Sequence, residues 1–201
     1  TEYFGPILGI MTADTLEEAI ELQNAPDYGL TAGLHSLDAD DLELWLSKVQ
    51  AGNVYVNRGI TGAIVRRQPF GGWKKSTVGS GTKAGGPNYL VALTDWEPDH
   101  ATATTVPQSV AVREVLATAE GASLCGAKDF EFIKRSASSD AHAWETEFGY
   151  GHDPSKLGVE RNILRYLPTQ VLVRADESAP AAEVVRVVLA GLAAGAPIAL
   201  S

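Results

Sequence analysis

The residues best placed to do chemistry lie in a glycine-rich stretch at 57–90. Glycine is used where the main chain takes a positive φ or comes close to another group. The small-residue turn Thr61-Gly62-Ala63 could present backbone N–H groups to an anion. Phe70 stands between a proline and two glycines, as an aromatic ring aimed into a pocket would need. The stretch therefore suggests a ligand-binding loop, with an ordinary glycine-rich surface loop as the alternative.

Other kinds of site are not indicated by the spacing of the residues. Residues 79–83, Gly-Ser-Gly-Thr-Lys, lack the Gly-Lys-Ser/Thr order of a P-loop, and the gap to Gly85 does not fit the dinucleotide fingerprint. The single cysteine, Cys125, lies next to apolar residues and is interpreted as structural. The four histidines show no ligand spacing, so no metal site is expected: His35, His100, His142 and His152.

Composition narrows the class of protein. A chain of 201 residues that is 45% hydrophobic and 20% charged is globular, with room for one sizeable domain or two small ones. Its net charge of -9 disfavours nucleic acid and anionic membranes, so we expect a small-molecule or protein partner. No apolar run is long enough for a membrane span, and one cysteine fits a reducing compartment, so a cytoplasmic location is expected. The first residue is not methionine, which suggests a fragment.

The first half alternates strand and helix patterns. One helix is predicted to begin at a capping box, Thr15 to Glu18, and to end before Pro26. A second is predicted to begin at Asp38 and to end at Gly52. Strands are predicted at 7–13, 30–36 and 53–57. Short connections between these elements favour a right-handed parallel βαβαβ layer, with the glycine-rich loop leaving the end of a strand.

The second half has a different composition and a different order of predicted elements. A threonine- and alanine-rich linker is followed by helices predicted at 109–119 and 129–148. A strand at 171–175, a helix at 180–194 and a strand at 197–201 then predict one more βαβ unit, which ends on its second strand.

The motifs together resemble a known family. The run QPFGGWKKSTVGSGTKAGGPNYL, preceded by VNRGITGAIV and by EYFGP near the start, is similar to the C-terminal part of an aldehyde dehydrogenase. The EYFGP piece is shared by the whole superfamily. TGAIV followed by QPFGG and KAGGPNYL resembles the L-glutamate γ-semialdehyde dehydrogenase (Δ1-pyrroline-5-carboxylate dehydrogenase) branch, found alone or as a module of proline utilization A. The resemblance covers residues 1–96.

This resemblance implies roles for five residues. Glu2 would hydrogen-bond the ribose beside the nicotinamide of NAD, and Phe4 would pack near that ring. Gly62 and Ala63 match the loop whose backbone N–H groups receive the α-carboxylate of glutamate semialdehyde. Phe70 matches the aromatic that lines the aldehyde tunnel.

Other roles are left open or placed outside the chain. Arg66 and Arg67 could attract the substrate carboxylate or be surface charges. The family's nucleophilic cysteine and general-base glutamate precede the EYFGP piece, so we expect no catalytic residue here and no activity from the chain alone.

The resemblance also defines the expected architecture. Residues 1–97 would be the C-terminal part of an aldehyde dehydrogenase catalytic domain, with an oligomerisation strand at 90–97 through which the parent protein forms a homo-oligomer. After a linker at 98–107, residues 108–201 would be a truncated aldehyde-dehydrogenase-like extension. Residues 152–168, HDPSKLGVERNILRYLP, carry the likeness to the extension of longer proline utilization A proteins.

The function implied is NAD-dependent oxidation of glutamate semialdehyde to glutamate in proline breakdown. Two alternatives remain. The chain could be a non-catalytic assembly or lid module of bifunctional proline utilization A, or part of an aldehyde dehydrogenase with another specificity. Whether the parent is monofunctional or bifunctional is left open.

Overall fold

The structure, a computed structural model, describes residues 3–78, 82–97 and 106–201. Two compact units divide the chain. Unit 1 contains Thr1–Asp95 with Pro154–Asn162, and unit 2 contains Trp96–Asp153 with Ile163–Ser201. The predicted domain boundaries at 97 and 107 stay a prediction, and most of the predicted linker lies outside the described residues.

Both helices of unit 1 begin where their capping residues predict. Helix α1 is Leu16–Asn24, and the Thr15 side chain accepts a hydrogen bond from the backbone N–H of Glu18 (3.2 Å). The Glu18 carboxylate in turn accepts from the N–H of Asp14 (2.8 Å). Helix α2 is Ala39–Lys48, with Asp38 as its N-cap. Each cap satisfies N–H groups that have no partner inside the helix.

Four short strands complete the described part of unit 1: β1 at Tyr28–Gly29, β2 at Thr31–Leu34, β3 at Asn53–Val56 and β4 at Trp73–Lys74. Strands β2 and β3 pair in parallel on either side of α2, which confirms the predicted βαβ unit there. Strands β1 and β4 pair antiparallel. Trp45 is buried between the elements, and its indole N–H donates to Gln23 Oε1 (2.7 Å).

One predicted strand, 7–13, is wrong, and the predicted oligomerisation strand at 90–97 is not formed within the single chain. Residues 7–13 have no regular structure, and their apolar side chains are exposed. The predicted oligomerisation strand at 90–97 contains instead a 3₁₀ helix, Val91–Leu93. A strand needs a neighbour for its backbone groups, whereas here Leu93 N–H donates to the Leu90 carbonyl only three residues away (2.8 Å). The α/β class holds, but with small two-stranded sheets in place of a βαβαβ layer.

In unit 2, the residues that the structure describes form three α-helices around an apolar cluster. Helix α3 is Val110–Gly121, α4 is Ala127–Ala143 and α5 is Ala181–Ala193, with a single π-helical turn at Trp144–Phe148 after α4. Ile133 and Leu189 are fully buried in the cluster. Arg186 joins α5 to α4 through two hydrogen bonds to the Asp140 carboxylate, at 2.6 and 2.9 Å.

The end of the chain confirms the predicted βαβ unit. Strand β5 is Val171–Val173, β6 is Ile198–Leu200, and the two pair in parallel across α5. Among the described residues, no helix has both the length and the apolar character needed to cross a bilayer.

Candidate functional site

The loop that follows β3 holds the predicted substrate residues. We call residues 58–68 the anchor loop. Its start is fixed by Asn57, which has a positive φ of 55° and exchanges two hydrogen bonds with the backbone of Ser36, at 2.8 and 3.0 Å. Asparagine tolerates this conformation better than most residues. The chain therefore turns sharply as it leaves the carboxyl end of the parallel pair.

The second half of the anchor loop closes on itself. The N–H of Gln68 donates to the Ile64 carbonyl (2.7 Å), and the N–H of Ile64 donates to the Gln68 side-chain oxygen (3.0 Å). Gly62 lies just before this turn with a φ of +87°, in the left-handed region that favours glycine. In the described part of the chain, the N–H groups of Gly62 and Ala63 have no protein acceptor. These two donors are therefore open to a ligand.

Phe70 follows the anchor loop and has a fixed backbone. It forms an isolated antiparallel bridge with Ala84, with N–H to carbonyl distances of 3.0 and 2.8 Å. The residue is 39% exposed. Its ring is thus partly covered and partly available, next to the loop that carries Gly62 and Ala63.

Two residues that the sequence analysis did not single out hold this bridge in place. The Lys83 ammonium donates to the carbonyls of Gly52 (2.5 Å) and Gly71 (2.7 Å). Asn53, only 9% exposed, donates to the Pro69 carbonyl and accepts from the Gly71 N–H, both at 3.1 Å. Burial lowers the pKa of Lys83 to about 8. In the sequence, the one indication of such a role was that Asn53, a polar residue, begins the apolar strand Asn-Val-Tyr-Val.

The anchor loop also contacts residues that come much later in the chain. Glu160 makes ion pairs with Arg58 (3.2 Å) and Arg67 (2.5 Å), and the Gln68 amide donates to Asn162 (2.5 Å). All of these residues belong to unit 1. Arg67 is therefore already paired with a carboxylate.

Arg66 differs from its neighbour Arg67. Its side chain is exposed, and its φ of 65° is in the left-handed region. Its role, either to attract the substrate carboxylate or as a surface charge, stays a prediction.

Of the two predicted NAD residues, only Phe4 lies in the described part of the chain. Glu2 lies outside the described residues, and Phe4 is 90% exposed in a segment without regular structure. A dinucleotide needs a cradle of several groups, and one exposed ring does not supply it. The NAD contacts of Glu2 and Phe4 therefore stay a prediction.

The remaining candidate groups lie elsewhere. Cys125 packs against the apolar cluster of unit 2. Within the described ranges, no group of three His, Cys, Asp or Glu side chains could hold a metal ion. A cleft of about 410 Å³ lies between α1 and α2, lined by Glu17, Lys48 and Trp73 among others, and does not include the anchor loop.

Comparison with known proteins gives this geometry a context. The aldehyde dehydrogenase family model matches residues 1–97. Over 90 residues, or 45% of this chain, the sequence is 44% identical to a 1-pyrroline-5-carboxylate dehydrogenase of Geobacillus sp. (strain WCH70), covering 17% of that protein. Over 111 residues, or 53% of the chain, it is 41% identical to the bifunctional protein PutA of Rhizobium meliloti, covering 9% of that protein.

One solved structure resembles nearly the whole chain. Proline utilization A from Corynebacterium freiburgense matches 98% of it with 46% identity and a TM-score of 0.81. The chain spans only 19% of that protein. The resemblance predicted for residues 1–96 is thus confirmed, and it continues through the second half. Residues 1–97 match the aldehyde dehydrogenase family model, and the similar proteins are named 1-pyrroline-5-carboxylate dehydrogenase and proline utilization A.

Proposed function

We propose that this chain is part of a proline utilization A-type protein whose aldehyde dehydrogenase module oxidises glutamate semialdehyde to glutamate. One observation carries the proposal: the likeness to proline utilization A covers 98% of the chain, whereas that to the Geobacillus 1-pyrroline-5-carboxylate dehydrogenase covers 45%. A parent with only the dehydrogenase would leave the second half unexplained. The bifunctional parent is therefore favoured.

The anchor loop supplies the proposed contact with substrate. Glutamate semialdehyde carries an α-carboxylate, and the open N–H groups of Gly62 and Ala63 are suitable donors for it. Hydrogen bonds to a charged acceptor contribute roughly 1.5–3 kcal/mol each. Phe70, fixed next to the loop, would cover the carbon chain that leads to the aldehyde.

The oxidation needs groups beyond this loop. The aldehyde and water give the acid, and NAD accepts the hydride when it is bound. The only cysteine, Cys125, packs in unit 2, so the proposal assigns the thiol nucleophile and the base to sequence outside these 201 residues. Glu2 and Phe4 remain proposed NAD contacts within the whole protein. The 201-residue chain alone should form no NADH.

Assembly of the parent protein is part of the same proposal. Residues 90–97 would pair with a neighbouring subunit, and the exposed side chains of Leu93 and Trp96 support this. The pairing would require the 3₁₀ helix at Val91–Leu93 to extend.

Gly62→Val in the whole protein tests the substrate contact. A β-branched residue at a φ of +87° is strained, so the turn must change and its N–H groups must move. We expect kcat/KM for glutamate semialdehyde to fall at least about tenfold, which corresponds to roughly 1.4 kcal/mol. Activity toward propanal, which has no carboxylate, should fall much less.

Gly59→Val is the matched control. Gly59 lies in the same loop, its φ is not positive, and an added Cβ would meet nothing within 4 Å. Its kcat/KM for both aldehydes should stay close to the wild-type value. Equal losses for the two substrates in folded Gly62→Val would show that the loop is structural, and the proposed carboxylate contact would be abandoned.

A further inference from the structure

A short segment from the second half of the sequence belongs to unit 1. Residues 154–162 group with Thr1–Asp95, although the residues on both sides of the segment belong to unit 2. Within unit 1, the segment meets the anchor loop through Glu160 and Asn162. A segment so distant in sequence must order itself to make these contacts, so they must offset an entropy cost.

Glu160 joins the two ends of the anchor loop. One carboxylate oxygen, Oε2, lies 3.2 Å from Arg58 Nη1, and the other, Oε1, lies 2.5 Å from Arg67 Nη2. The residues between the two arginines include Gly62 and Ala63. A single carboxylate thus limits how far the ends of the loop can separate.

The pairs are partly shielded from water. The side chains of Glu160, Arg67 and Arg58 are 27%, 34% and 38% exposed. Asn162 donates to Glu160 Oε1 (3.2 Å), and this bond, followed by the charges of the two arginines, holds the pKa of Glu160 below its ordinary value. The carboxylate is therefore ionised at neutral pH.

The Arg58 guanidinium that pairs with Glu160 also lies near Gly62. Arg58 Nη2 lies 4.0 Å from the position that a Cβ on Gly62 would occupy. Without Glu160, this guanidinium would lack its carboxylate partner and would compete with the open N–H groups for an anion. With Glu160 present, Arg58 is paired with a carboxylate, and the open N–H groups are left as the preferred donors to a substrate carboxylate.

A second bond holds the closed turn of the loop. The Gln68 side chain accepts from Ile64 N–H and donates to Asn162 Oδ1. The Asn162 amide also donates to Ser155 within the segment (3.0 Å). The segment therefore holds both the ends of the loop and the turn next to Gly62.

We infer that Glu160 is a positioning residue: it holds the anchor loop through Arg58 and Arg67 and directs the substrate carboxylate to the backbone N–H groups of Gly62 and Ala63. The first half of this inference, that Glu160 holds the loop, concerns the chain itself. The second half rests on the proposed function.

Hydrogen exchange on the 201-residue chain tests the first half. In Glu160→Gln, the N–H groups of Ile64, Arg67 and Gln68 should exchange at least about threefold faster, because their turn opens more often. The N–H groups of α1 and α2 should be unchanged. Glu131→Gln is the control, since it removes an exposed ion pair with Lys134 (2.7 Å) in unit 2. Unchanged exchange of the loop in folded Glu160→Gln would overturn the inference.

A second variant, Arg67→Gln, tests the same ion pair independently, in case Glu160→Gln does not fold. Arg67→Gln removes the other partner of the 2.5 Å pair and should speed exchange of the same N–H groups. In the double variant Glu160→Gln with Arg67→Gln, the exchange rate of these N–H groups should rise by less than the product of the two single increases. Both substitutions break the same ion pair, so their effects should not multiply. Independent, multiplying effects would show that the two residues do not act together.

Kinetics of the whole protein test the second half. Glu160→Gln should raise KM for glutamate semialdehyde at least about threefold and leave kcat within about twofold, with propanal little affected. A fall in kcat for both aldehydes would mean a general structural role and would overturn the inference. If the wild-type protein does not oxidise glutamate semialdehyde at all, the proposed function fails, while the exchange experiment still decides whether Glu160 holds the loop.

Discussion

Asn53→Ala should destabilise unit 1 far more than its size suggests. The buried amide donates to the Pro69 carbonyl and accepts from the Gly71 N–H, both at 3.1 Å, and it also accepts from Lys83 Nζ at 3.3 Å. Alanine removes all three bonds and leaves partly buried partners that water reaches poorly. Each unsatisfied buried group costs about 1–3 kcal/mol. Because the partners are only partly buried, we expect a total loss of roughly 2–4 kcal/mol.

The chain offers a matched control for this variant. The Asn24 side chain also donates to one backbone carbonyl, that of Lys48, and accepts from one backbone N–H, that of Gln50, both at 2.9 Å, but at an exposed site. Water can replace those bonds, so Asn24→Ala should cost about 1 kcal/mol or less.

Two measurements check the Asn53 prediction. Urea unfolding followed by far-ultraviolet circular dichroism gives the free energy of unfolding of each variant. Hydrogen exchange gives the local effect, and the Gly71 N–H should lose protection in Asn53→Ala but not in Asn24→Ala. Equal costs for the two variants, with Gly71 still protected, would refute the reasoning that burial makes the Asn53 bonds important.

Two further predictions follow from the same unit. Gly52→Ala should lower the free energy of unfolding by at least about 3 kcal/mol, because the new Cβ would lie 1.9 Å from the Gly71 carbonyl oxygen; a urea midpoint near the wild-type value would contradict it. Since the pKa of Glu160 is held below its ordinary 4.5, its ion pairs are complete above that pH and are lost as pH falls through the lowered value. The difference in urea midpoint between wild type and Glu160→Gln should thus be constant from neutral pH down to about pH 5 and then shrink; a constant difference down to pH 2 would contradict it.

Features set by neighbouring residues could be predicted from the sequence. The caps Thr15 and Asp38 are satisfied by N–H groups within three residues, so the helix starts were correct. The parallel pair of β2 and β3 followed from an apolar strand on each side of an amphipathic helix. The position of the anchor loop at the end of β3 followed from the same pattern.

Features that depend on a distant partner could not be predicted. The segments 7–13 and 90–97 have strand-like composition, but a strand also needs a neighbour, and composition does not specify one. Lys83, Glu160 and Asn162 read as ordinary polar residues, and only folding brings them to Gly71, Arg67 and Gln68. The loop was visible in the sequence, whereas the residues that hold it were not.

The proposed NAD-dependent oxidation of a carboxylated aldehyde can be tested directly in the whole protein. The most direct measurement is NADH formation by that protein with glutamate semialdehyde and, separately, with propanal. We expect steady NADH formation and a kcat/KM at least about tenfold higher for glutamate semialdehyde, the difference expected from one charge-assisted contact. No NADH with glutamate semialdehyde, or an equal kcat/KM for the two aldehydes, would contradict it.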